Sequence, residues 1–202
     1  MQPLILAPDR DLWRPRLWTP SPRRVVLARA LPKLPFGARR ASGDSLAIWT
    51  PEMNEPPSSG YMTLNVRNGH LVLEATAGST DTAIFTGVMP QNYGGGGITA
   101  YAHWMAKTAT TGTIGWDITF ERDNAANHDL DSDAWATAQT ITAATVDGTS
   151  GKVTVTSVAI TAGAAGTDSV AAGDAFRVRV RNLAAGTATG GAQLLALHLK
   201  ET

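Results

Sequence analysis

Gly173–Asn182, GDAFRVRVRN, decides the fold of this 202-residue chain. Phe176, Val178 and Val180 alternate with Arg177, Arg179 and Arg181. A period of two puts three apolar side chains on one face of a strand and three guanidinium groups on the other. Asp174 after Gly173 supplies the turn into the strand and Asn182 ends it, because both side chains hydrogen-bond locally in turns. The basic face has two readings: a solvated sheet surface, or a row that meets an acidic surface on a neighbouring subunit. The rest of the sequence favours the second.

Other stretches repeat the pattern. Leu46–Thr50, Tyr61–Arg67, His70–Ala75, Thr82–Met89, Ile98–Ala106, Thr113–Glu121, Trp135–Ala144, Lys152–Ile160 and Ala192–Lys200 all read as strands between Gly, Asn, Asp and Thr-rich turns. In Thr113–Glu121, Ile114, Trp116, Ile118 and Phe120 share one side; Asp117, Thr119 and Glu121 lie on the other. Asn68-Gly69 joins two of the strands and favours a type I′ turn, which pairs Val66 with Leu71 and Leu64 with Leu73. Strands this numerous, with no helical periodicity between them, predict an all-β fold: an antiparallel, jelly-roll-like β-sandwich with an extended N-terminal arm.

That arm is set apart by composition. Ten of the eleven prolines lie at or before Pro57. Up to Ser42 there are nine Lys or Arg against two Asp, a surplus of seven positive charges, and the remainder carries the opposite surplus, so a net charge of zero conceals a basic arm on an acidic body. Proline lacks an amide donor and biases its predecessor away from helix, so residues 1–42 hold no long helix or central strand. They carry Trp13, Trp18 and Phe36, which a solvated tail has no use for. The expectation is a segment that orders on a partner through Arg10, Trp13, Arg14, Arg16, Trp18, Arg23, Arg24, Arg29, Arg39 and Arg40. Residues 43–202 form the sandwich, with 43–90 open to being a connection that includes the hairpin.

Signals for chemistry are sparse. With no cysteine, disulfides and thiolate metal sites are excluded. No apolar run approaches the ~18 residues of a membrane span, and MQPLILAPDRD lacks the pattern of a secretory signal, so a soluble, unexported chain is expected. His70, His103, His128 and His198 fall at no recurring ligand spacing, and no Gly-x-Ser-x-Gly elbow occurs. Asp129, Asp131 and Asp133 resemble the opening of a calcium loop, but that loop would need Gly at Ala134 and Glu at Thr140. They read instead as a solvated loop that also offers carboxylates to Arg177, Arg179 and Arg181 of an adjacent copy. Gly94–Gly97 precedes a strand where a phosphate loop needs Lys-Ser/Thr and a helix, so it reads as a flexible loop or a close backbone approach. No cofactor, no metal and no catalytic residue are expected.

From Ile98 onward the sequence resembles a β-sandwich module of structural proteins of tailed bacteriophages. The resemblance rests on AHWMA at Ala102–Ala106, GWDITFER at Gly115–Arg122, DLDSDAW at Asp129–Trp135 and AGDAFRVRVRN at Ala172–Asn182. It implies a virion component of jelly-roll type, commonly a homotrimer. Capsid decoration or cement proteins often lay an N-terminal arm over neighbouring shell subunits, and the basic, proline-rich arm suits that task. The leading expectation is a non-enzymatic decoration protein on the capsid surface, assembled in the host cytoplasm, with the major capsid protein and itself as partners and with neither membrane nor nucleic acid. The alternative is a tail or head fibre or spike subunit that binds a host receptor. A glycan hydrolase would require paired carboxylates around a cleft, which Asp117, Glu121 and the Asp129 loop do not announce.

Overall fold

The computed structural model describes residues 42–123 and 134–202. All of them belong to one unit, Gly37–Thr202. The arm positions from Arg10 to Arg40, with His128, Asp129, Asp131 and Asp133, lie outside the described residues.

The described residues hold ten strands: β1 (Ser45–Trp49), β2 (Thr63–Arg67), β3 (His70–Ala75), β4 (Thr82–Val88), β5 (Ile98–Ala106), β6 (Thr113–Asp123), β7 (Gln139–Thr145), β8 (Thr154–Ile160), β9 (Ala175–Leu183) and β10 (Ala192–Glu201). They form two antiparallel sheets, and the protein is an all-β sandwich of jelly-roll type. The six-stranded sheet runs β2-β3-β10-β5-β8, and the four-stranded sheet runs β4-β9-β6-β7. β10 is long enough to share one flank between two strands: Ala192–Leu194 pair with β3, and Leu197–Lys200 pair with β1. Residues 43–90 thus supply four strands to the two sheets.

Alternation puts the core where the sequence places it. Phe176, Val178 and Val180 of β9 are fully buried beside Ile118 and Phe120 of β6. Leu73, Leu194, Leu197 and Leu199 meet them from the larger sheet, and Ala100, Ala102 and Ala106 on β5 leave room for large neighbours. Trp104 and Trp116 touch at 6.4 Å between ring centroids, and Trp49 packs on Phe85 and Phe176. Each such aromatic pair adds about 0.5–1.5 kcal/mol beyond the area it buries.

The Asn68-Gly69 turn takes positive φ at both residues, 47° and 81°, and the hairpin register pairs Val66 with Leu71 and Leu64 with Leu73 as expected. Gly94 is a close approach: a Cβ there would lie 2.5 Å from Glu201 Oε1, which accepts the Gly94 N–H at 2.9 Å. The free edge of β4 is covered by the segment before β2. Ile84 N–H donates to Asn54 Oδ1 at 3.0 Å, Glu55 N–H to the Ile84 carbonyl, and Met62 N–H to the Thr82 carbonyl. This removes a template for edge pairing.

Three expected strands start late: β2 at Thr63 rather than Tyr61, β8 at Thr154 rather than Lys152, and β7 by the most. Trp135–Ala144 reads as a strand, yet β7 begins at Gln139 and Trp135 precedes it in irregular chain. Ala136 still donates its N–H to the Phe120 carbonyl. The ring of Trp135, however, turns onto guanidinium groups of β9.

Candidate functional site: the arginine face and the overhanging hairpin

The outer face of the four-stranded sheet is a cross-strand lattice. Antiparallel register sets Asp117 opposite Arg181, Thr119 opposite Arg179 and Glu121 opposite Arg177. Asp117 and Glu121 are buried, because the long arginine stems lie over them. Arg181 donates Nε and Nη2 to the two oxygens of Asp117 at 3.0 and 2.6 Å. This bidentate pair raises the Arg181 pKa above its ordinary value. Arg177 Nη2 pairs with Glu121. The acidic partner expected on a neighbouring subunit is therefore supplied, for these two arginines, by β6 of the same chain.

Arg179 differs. Among the described residues its only hydrogen-bond acceptor is Thr119 Oγ1, at 3.4 Å. Its guanidinium carbon sits 4.7 Å from the centroid of Trp135, with that of Arg177 at 5.1 Å from the same ring. Burial, and then the Arg181 charge beside it, lower the Arg179 pKa. Trp135 is thus a lid over two cations, a role its place ahead of a Thr-rich run does not reveal.

A second surface lies on the hairpin. Leu73 faces the core, but Leu64, Val66 and Leu71 on the same face are 52%, 60% and 41% exposed. Among the described residues nothing covers this part of the hairpin's core-side face. Met53, on a short 3-10 turn that packs against β3, is exposed as well. A polar network holds the opposite face. Arg67 Nη1 donates to the Ala106 carbonyl and to Gln193 Oε1, Gln193 Nε2 donates to Glu74, and Lys107 pairs with Glu74. The Lys107 ammonium and these hydrogen bonds lower the Glu74 pKa.

Between the hairpin turn and the loop before β8 is an open cleft of about 440 Å³, lined by Arg67, His70, Met105, Ser150, Val153 and Leu195. His70, His103 and His198 lie on strands. His103 and His198 are near enough to interact electrostatically, and Ser45 Oγ is 2.8 Å from His198 Nε2. Among the described residues no three His, Asp or Glu side chains come together to hold a metal ion, and no helix is long and apolar enough to cross a membrane.

The fold and these surfaces define an antiparallel jelly-roll-type β-sandwich. No protein-family model matches the chain, and no curated protein matches it. Solved structures of similar shape include the xylan-binding module CBM15, at 11% identity and TM-score 0.42, covering 78% of this chain and 97% of that one. A carbohydrate-binding module, CBM4, is similar at 15% identity and TM-score 0.35, covering 77% and 85%. The Eiger TNF of S. frugiperda is similar at 17% identity and TM-score 0.25, covering 80% and 88%.

Proposed function

We propose that this chain is a non-enzymatic structural protein of a phage virion, which decorates and cements the capsid shell. In this reading residues 1–42 dock on the major capsid protein and the β-sandwich body joins neighbouring copies. The observation that carries it is the gathering of exposed apolar side chains, Leu64, Val66 and Leu71, on the hairpin face, a surface suited to docking on protein. The arm adds a basic, tryptophan-bearing segment whose extended form covers much surface per residue. The test is binding of the full-length protein, and of a version beginning at Ser42, to undecorated heads, with copy number and shell stability recorded. Saturating binding that is lost with the arm is expected. Failure of the full-length protein to bind heads overturns the reading.

A second reading, a fibre or spike subunit that binds a host receptor, is favoured by the cleft. Arg67, His70 and Ser150 line it together with Met105 and Leu195, a combination that fits a polar ligand with an apolar face. Glycan binding abolished by Arg67→Ala, with no binding to heads, would select it.

A further inference from the structure

We infer that β2 pairs antiparallel with β2 of a second copy about a two-fold axis at Asn65, which joins the larger sheets of two molecules into one. This deepens the self-association in the proposed function by naming the strand and its register. Among the described residues β2 is an edge strand, paired with β3 alone. Four of its five residues are exposed, and they lie on both faces. Edges are normally blunted with lysine, proline, a bulge or a covering segment. The edge of β4 is covered in this way. β2 carries no lysine or proline, its register with β3 is unbroken, and Arg67 is turned inward to Gln193.

The backbone specifies the register. Arg67 and His70 close a two-residue turn and form a hydrogen-bonded pair. Alternation then makes Asn65 with Val72 and Thr63 with Glu74 the other bonded pairs, so the N–H and C=O groups of Leu64 and Val66 point away from β3. Centring the pairing on Asn65 places Leu64 against the partner's Val66 and Val66 against the partner's Leu64. The outward groups of each copy then meet their complements in four hydrogen bonds. The Val66 N–H, held for now by the Asn65 Oδ1 of its own chain at 2.7 Å, exchanges that acceptor for a carbonyl.

Side chains agree with this register on both faces. On the apolar face Leu73, Leu64, the partner's Val66 and the partner's Leu71 form one row, repeated in reverse by the two-fold. On the polar face Glu74 and Thr63 share a row with the partner's Arg67. Arg67 stays on its own Ala106 carbonyl and Gln193 Oε1, so no like charges are forced together across the axis. Two five-residue edges and the short rows beside them place the contact at or below the lower end of the ~1,200–2,000 Å² range of stable interfaces, so the dimer is reversible and concentration-dependent. The pairing is two-fold, in contrast to the trimer that the phage resemblance implies.

The 202-residue chain has no cysteine, so a single one reports the register. Across the axis two residues at position 65 form a non-bonded pair with Cα atoms about 4.5 Å apart, within disulfide reach. Under mild oxidation Asn65→Cys is expected to become a disulfide-linked dimer, while Thr63→Cys, four positions from its counterpart across the axis, stays monomeric. Sedimentation of the unmodified chain is expected to show a monomer–dimer equilibrium, abolished by Val66→Lys in a protein whose circular dichroism is unchanged. Equal cross-linking at both positions, a trimer mass, or a monomer at millimolar concentration overturns the pairing. These measurements contain no capsid: their failure leaves head binding standing, and failure to bind heads leaves the pairing standing.

Discussion

Arg181 holds Asp117 by two parallel hydrogen bonds, and the Asp117 side chain is 4% exposed whereas the Arg181 side chain is 34% exposed. The inequality makes the two halves of the pair unequal in the cost of losing them. Arg181→Met strands a buried carboxylate, and the loss is about 3 kcal/mol, the lower bound for breaking a buried pair, because water reaches one side. Asp117→Asn leaves a guanidinium that water can solvate and an amide oxygen that still accepts, and costs about 1 kcal/mol. Urea midpoints of the two variants check the order. Equal losses would mean that water already solvates Asp117.

Trp135 is the next member of that face. Its ring lies over Arg177 and Arg179, at 5.1 and 4.7 Å, and Arg179 has no carboxylate among the described residues to hold it in place. Trp135→Ala is expected to cost about 1–2 kcal/mol, with Trp135→Phe intermediate because a smaller ring retains part of the cation–π attraction. An arginine-selective dicarbonyl reagent should label Arg179 faster in the alanine variant. Unchanged labelling would mean that Trp135 does not cover it.

What could be read in advance divides along the same line. The turn and register of the β2–β3 hairpin were legible because their information is local: Asn68-Gly69 dictates the turn, and the turn dictates which leucines face each other. The arginine face was half legible. Alternation puts Arg177, Arg179 and Arg181 outside on one strand and Asp117 and Glu121 outside on another, yet nothing in a period of two says that β6 lies beside β9. That relation comes from packing of the whole sheet. Trp135 shows the opposite failure. An aromatic residue before a Thr-rich run has the composition of a strand, and tertiary contact with two cations overrides it. Leu64 and Val66 were legible as one apolar face, but their exposure among the described residues was not.

The covered edge of β4 makes a local prediction. Asn54 Oδ1 is the acceptor for the Ile84 N–H, and the Glu55 N–H to Ile84 carbonyl bond next to it is independent of that side chain. Asn54→Ala is expected to cost about 1 kcal/mol, the net value of one hydrogen bond. Hydrogen exchange should quicken at the Ile84 amide and not at Val178, in the interior of the sheet. Unchanged protection at Ile84 would mean that another acceptor covers the edge.

His198 gives a pH dependence whose sign follows from its surroundings. Ser45 of β1 is within hydrogen-bond distance, Tyr101 and His103 lie on β5, and Lys200 is two residues along β10 on the same face. Burial first, then the charges of Lys200 and His103, lower its pKa from the ordinary 6.5. Ser45 Oγ, 2.8 Å from Nε2, can donate to the neutral ring or accept from the protonated one, so burial and the neighbouring charges set the sign. The folded chain thus binds this proton less readily than the unfolded chain does. Between the folded value and 6.5 the unfolded state holds more protons, so stability rises with pH through that window. The contribution is fully present above 6.5 and is lost as pH falls through the folded value. His198→Gln, which keeps a polar group for Ser45 but does not titrate, should flatten urea stability between about pH 5 and 7 relative to the unmodified chain. Parallel pH profiles for the two proteins would place the sensitivity at another group.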